Sequence, residues 1–133
     1  MLDKNNPNYI EWFKKAEEDE EAGAKLLEHN GPFGPACFHF QQMAEKLLKG
    51  LLVYHGKEPP RTHDLIELET VIKDIEPNIE NYKKEIDLLN SYYIETRYPG
   101  DFPEIVTHEA KQAFNAAKRL KEFIEKLKES SKD

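Results

Sequence analysis

Between Cys37 and Leu65 the chain reads CFHFQQMAEKLLKGLLVYHGKEPPRTHDL, and no other stretch restricts the fold as much. Phe40, Met43, Leu47, Leu51 and Tyr54 recur at steps of three and four, the period of an α-helix with one broad apolar face. A helix so marked needs several neighbours, as the central helix of a bundle has. The adjoining row, Phe38, Gln41, Glu45, Leu48 and Leu52, sets an amide and a carboxylate among apolar residues, and polar groups there require partners. Two short runs are rich enough to supply them: RTHD (Arg61 to Asp64) and ETRYPGD (Glu95 to Asp101).

The flanking residues predict the remaining helices. Asn6-Pro7 opens a first helix with Pro7 near its first position, and Tyr9, Trp12, Phe13, Ala16, Gly23, Leu26 and Leu27 mark its inner face up to a stop near Asn30-Gly31-Pro32. Asp19 and Glu20 interrupt that face, so at least one acid lies at the core edge, turned either to solvent or to a polar cleft. Gly34-Pro35 opens the second helix, which runs to about His55 and is stopped by Gly56, a residue suited to the left-handed cap, with Pro59-Pro60 beyond. Thr62 is the expected N-cap of a third helix carrying Leu65, Leu68, Ile72 and Ile75 and closed by Pro77. A fourth helix is expected from about Ile79 through Tyr82, Ile86, Leu89 and Tyr93, with Asn90 and Arg97 on the neighbouring stripe, until Tyr98-Pro99-Gly100 breaks it. The last helix begins between Asp101, which with Glu104 forms a capping box, and Thr107, which caps alone. Ala110, Ala113, Phe114, Ala117, Leu120, Ile124 and Leu127 form its inner face, and Lys126 to Asp133 is a solvated end. Strand-like alternation of useful length is missing, so the class is all-α.

A length of 133 residues suits one domain over 1–133 with its core from about Pro7 to Leu127. The net charge of -7 disfavours nonspecific contact with nucleic-acid backbones or anionic membranes. Cys37 is the single cysteine and forms no internal disulfide, and the N-terminus shows no apolar leader, so a soluble cytoplasmic protein is expected. Trp12, Phe33, Phe102 and Phe123 are aromatic residues left over from the core, which predicts a symmetric homodimer that buries them jointly.

The residues able to carry chemistry are few. No HExxH, paired ExxH or cysteine pair is present, so no metal site is expected. His39, Gln42, Lys46 and Lys49 read as an exposed polar stripe. His63 sits inside a helix start between Arg61 and Asp64, and a helix N-terminus beside an arginine is an anion site, so RTHD is a candidate phosphate holder. Tyr92, Tyr93, Arg97 and Tyr98 pair aromatic faces with a guanidinium, a combination that stacks a base and binds a phosphate; Tyr93 is assigned to the core and Tyr98 to the surface. Glu45 is expected to be ionised and paired with Arg97 or His63.

FHFQQMAEKLLKGLLVYHGKEPPRTHDL followed by YYIETRYPGD resembles the HEPN family, in the branch encoded beside a minimal nucleotidyltransferase. AEEDEEAGAKLL in the first helix is similar to that family too, with Asp19 at its acidic position. The likeness runs from about Tyr9 to about Leu127. It implies a four- to five-helix up-and-down bundle, commonly a homodimer, that binds a nucleotide or serves as partner or substrate-binding subunit of the nucleotidyltransferase, in one arrangement as a toxin–antitoxin pair. The residues to which the likeness and the polar pattern assign that role are Asp19, Gln41, Glu45, Arg61, His63, Arg97 and Tyr98. Ribonuclease members of the family carry an arginine and a histidine a few residues apart. Here Arg97 matches the arginine, but YPGDFPEIVT delays the next histidine to His108. A metal-independent ribonuclease built on Arg97 and His108 therefore ranks below a binding role, and a purely structural dimerisation bundle is the third reading.

Overall fold

The structure, a computed structural model, describes residues 8–93 and 105–130. Five α-helices and one 3-10 segment make up the regular structure of the described residues: α1 (Asn8–Glu28), α2 (Phe33–Tyr54), α3 (Leu65–Lys73), the 3-10 segment Pro77–Tyr82, α4 (Lys83–Asn90) and α5 (Thr107–Ser130). The all-α bundle expected from the sequence is the observed fold. Helix α2 is its centre, packed on α1, α3, α4 and α5. Phe40, Met43, Leu48, Leu51 and Leu52 are fully buried on it, and the core continues into Leu65 and Leu68 of α3, Ile86 and Leu89 of α4, and Ala113, Ala117 and Leu120 of α5.

The two long helices form a tight antiparallel pair because their ends and their contact are set by glycine and asparagine. After α1, Asn30 and Gly31 take positive φ of 61° and 110°, and the Gly31 and Asn30 N–H groups donate back to the Leu26 and Leu27 carbonyls. Gly56, at φ 76°, ends α2 in the same way, with Lys57 N–H donating to the Leu52 carbonyl at 2.9 Å. Both are Schellman turns, which satisfy carbonyls that the last helical turn leaves open. Where the helices touch, a Cβ on Gly23 would run into the Phe40 ring and one on Gly50 would lie 2.7 Å from Phe13. Only a hydrogen lets the pair close to this distance.

Three expectations are corrected around the shorter helices. Asp64, not Thr62, caps α3: its Oδ1 accepts from Ile66 N–H at 2.9 Å, while Thr62 Oγ1 accepts from Asp64 N–H and so shapes the turn before it. The fourth helix is split, because Pro77 starts a 3-10 turn and the α-helix proper covers only Lys83–Asn90. That early end exchanges the roles of two tyrosines: Tyr92 is buried and Tyr93 is half-buried at the surface. Helix α5 begins at Thr107, with the Val106 carbonyl accepting from Ala110 N–H, so Val106 stands at the cap position. The expected capping box of Asp101 and Glu104, together with Arg97, Tyr98 and Phe102, lies outside the described residues.

The aromatic residues assigned to a dimer surface are partly absorbed by the chain itself. Phe123 is buried and packs on Tyr82 with ring centroids 4.6 Å apart. Trp12 and Phe33 are half-buried. No described helix is long and apolar enough to cross a membrane.

Candidate functional site

Helix α2 carries a polar row inside the bundle, Gln41, Glu45 and Lys49, spaced one turn apart and all buried. Each member has a partner. Lys49 Nζ meets Glu45 Oε2 at 3.0 Å, an arrangement available to a glutamate four residues before a lysine. His63, in the loop before α3, places Nδ1 3.0 Å and 3.2 Å from the two Glu45 oxygens. Gln41 Nε2 donates to the His63 carbonyl at 3.2 Å, and Gln41 Oε1 accepts from Gln42 Nε2 at 2.7 Å. The His63 ring lies flat on Tyr93, with centroids 5.0 Å and planes 13° apart. Of the two partners expected for Glu45, His63 is observed; Arg97 lies outside the described residues.

A second carboxylate stands beside the first. Asp19 of α1 is buried and faces α2, where His39 Nδ1 is 2.9 Å from Oδ1 and Lys46 forms an ion pair with Oδ2. Of the two environments open to this acid, it occupies the polar one. The stripe His39, Gln42, Lys46 and Lys49, expected to face solvent, is instead the set of partners for Asp19 and Glu45. It reads as solvated from its own helix alone; α1 and the His63 loop cover it.

The start of α3 is less free than an anion site requires. Ile66 N–H is taken by Asp64, and Leu65 N–H donates to Asn90 Oδ1 at 2.9 Å. Asn90 Nδ2 in turn donates to Asp64 Oδ1 at 3.1 Å, so a carboxylate already sits where a phosphate was expected. Arg61 is exposed and makes no ion pair among the described residues. It lines an open groove of about 910 Å³ between α1, the end of α2 and the loop after it, together with Trp12, Lys15, Lys46, Lys49 and Lys57. Trp12, Lys15 and Lys57 carried no site assignment in the sequence, because their convergence depends on how α1 crosses α2.

The remaining reactive groups point elsewhere. Burial pushes the Cys37 thiol up to about 11, with a Tyr92 hydrogen bond acting against it and Glu109 with it, so this cysteine is held neutral. His108 is exposed in the first turn of α5. Among the described residues no three His, Cys, Asp or Glu side chains come together as a metal site needs.

Comparison with known proteins bears on the family and the fold. The HEPN domain model matches residues 9–128. The chain belongs to the HEPN family. Its fold superposes on the crystal structure of TT1696 from Thermus thermophilus with a TM-score of 0.77 at 26% identity, covering 91% of this chain and 98% of that one. ST0689, described as an archaeal HEPN homologue, is matched with a TM-score of 0.71 at 26% identity, covering 90% of this chain and 96% of that one. The comparison with curated proteins yields no match.

Proposed function

We propose that this HEPN chain is a binding module, the partner or substrate-binding subunit of a minimal nucleotidyltransferase, working on nucleotides as a cytoplasmic homodimer, with a toxin–antitoxin pair as one setting. The observation that supports this most is the anchoring of His63. The buried Glu45 carboxylate, itself paired with Lys49, holds its ring and Gln41 holds its backbone carbonyl, while the ring stays half exposed on Tyr93. A polar side chain ordered before it meets a ligand suits recognition, since little freedom remains to be lost on binding. Tyr98 and Arg97, which follow this tyrosine in the chain, and Arg61, close before His63, complete the proposed surface.

The test is co-purification with a nucleotidyltransferase protein, recognised by its GSxxxG and paired-aspartate pattern, encoded beside this chain. Wild-type protein is expected to form a stable complex by size-exclusion chromatography, and His63→Ala to weaken it at least tenfold by calorimetry with the fold retained. A complex of unchanged affinity in His63→Ala removes His63 from the surface.

The ribonuclease reading draws on the exposed place of His108 at the start of α5. Purified protein is expected not to cut RNA in the absence of metal; cutting that disappears in both Arg97→Ala and His108→Ala would reverse this ranking.

A further inference from the structure

The open groove beside the polar row is walled by three stripes of side chains. Glu11, Trp12 and Lys15 stand on α1 and Lys46, Lys49 and Val53 on α2, each set at helical spacing, and the loop adds Lys57 to Arg61. Its charges are spread out, not gathered. Lys46 and Lys49 are taken up by Asp19 and Glu45, which leaves Lys15, Lys57 and Arg61 exposed and without an ion pair among the described residues. Two of these cations have a carboxylate beside them in the chain: Glu11 is one helical turn before Lys15, and Glu58 follows Lys57. Such a field is weak at any single point, so it suits a ligand that brings single negative charges at intervals.

The loop runs along the groove as a stretched strap. A residue before proline is turned away from the helical region, and Glu58 and Pro59 both precede prolines, so the backbone up to Pro60 is extended and belongs to no helix. At about 3.1 Å per residue, the backbones of Lys57 and Arg61 stand on the order of 12 Å apart, the span of about four residues of another extended chain. Between the charges the surface is apolar. Trp12 is half-buried, and the Lys49 ammonium, 5.7 Å from its ring centroid, holds the indole in place. Pro59 and Pro60, also half-buried, are stiff and lose little freedom when they are covered. The groove volume of about 910 Å³ is near the top of the range for small-molecule sites, about 300–1,000 Å³, and leaves room for several residues of a peptide.

We infer that this groove docks an extended acidic peptide segment of a partner protein, with an apolar anchor residue against Trp12, Pro59 and Pro60 and carboxylates on Lys15, Lys57 and Arg61. Charge complementarity names the occupant: in a chain of net charge -7, the groove is a place where exposed, unpaired cations border open aromatic surface. Apolar contact supplies the affinity, and the spaced cations set register and direction. The inference goes beyond the reading built on His63 and needs neither a nucleotide nor a nucleotidyltransferase.

The chain supplies its own reporter, since Trp12 is its one tryptophan. Short peptides selected from a random library on the full chain are expected to be acidic around a leucine or an aromatic residue. A synthetic copy of the strongest, free of tryptophan, is expected to shift Trp12 emission saturably to shorter wavelength. Lys15→Glu/Lys57→Glu is expected to weaken this peptide at least tenfold by calorimetry while the circular dichroism spectrum is kept, and Trp12→Ala to do the same. A copy of the peptide with its acids exchanged for lysine is expected to bind the double variant more tightly than it binds the wild type, which a merely damaged fold would not produce. A selection that yields no binder or only peptides without net negative charge overturns the inference, as does affinity unchanged in either variant. Displacement of the peptide by ATP or by a short single-stranded RNA, at concentrations below those at which the peptide itself binds, overturns it in favour of a phosphate ligand. His63→Ala is expected to leave peptide binding unchanged, and an equal loss in that variant would move the peptide out of the groove and overturn the assignment.

Discussion

Asp19 and Glu45 are each held by one lysine and one histidine, yet the two clusters fasten different things. Asp19 comes from α1 and both its partners, His39 and Lys46, from α2, so that cluster ties two long helices together. Glu45 and Lys49 are neighbours on α2, and only His63 comes from elsewhere, so this cluster ties a loop to a helix already in place. Their exposure differs as well. The Lys49 side chain is 9% exposed and Lys46 25%, whereas His63 is 51% exposed. The cost of breaking a charged cluster depends on what its stranded members can reach, and Lys46 and His63 already stand partly in water whereas Lys49, at the buried edge of the groove, has to move to reach it.

This contrast is sharpest in Glu45→Ala. Removing that carboxylate leaves the Lys49 ammonium buried without its partner, and a loss of about 3 kcal/mol is expected in urea denaturation, the lower end of the range for broken buried pairs. A loss below about 1 kcal/mol would mean that Lys49 swings into the groove, and the difference between the clusters would disappear.

Asp19→Ala comes next. Two charge-assisted contacts are lost, but His39 and Lys46 can both turn to solvent, so about 2 kcal/mol is expected by the same measurement. A loss as large as that of Glu45→Ala would show that the link between helices, rather than burial, sets the scale.

The smallest effect is expected for His63→Ala, under about 1 kcal/mol, because the ring is half exposed and Glu45 keeps Lys49. Thermal unfolding read beside complex formation separates a surface role from a structural one: a large fall in melting temperature would assign His63 to the fold and weaken its place in recognition.

How much of this was legible in the sequence depends on how far apart the interacting groups lie. The apolar period of α2, the stops at Gly31 and Gly56, and the two polar residues that interrupt a buried row are written within a few turns of one helix, and the sequence determined all of them. It also determined the class of fold, since a helix apolar over so broad a face has to be surrounded. The tertiary structure decided which side of each residue faces what. His39, Gln42, Lys46 and Lys49 have the spacing of a solvated stripe, and only the crossing of α1 makes Lys46 a partner of Asp19. The exchange of Tyr92 for Tyr93 in the core follows from the short α4, whose end Asn90 serves the start of α3 through hydrogen bonds spanning 25 and 26 positions of sequence. The groove joins Trp12 to Arg61 through the packing of α1 on α2, made close by the absence of a side chain at Gly50. Helix period and helix ends are local properties of the chain; the partner of a buried charge is set by which helix lies across it, and that is known only once the bundle has closed.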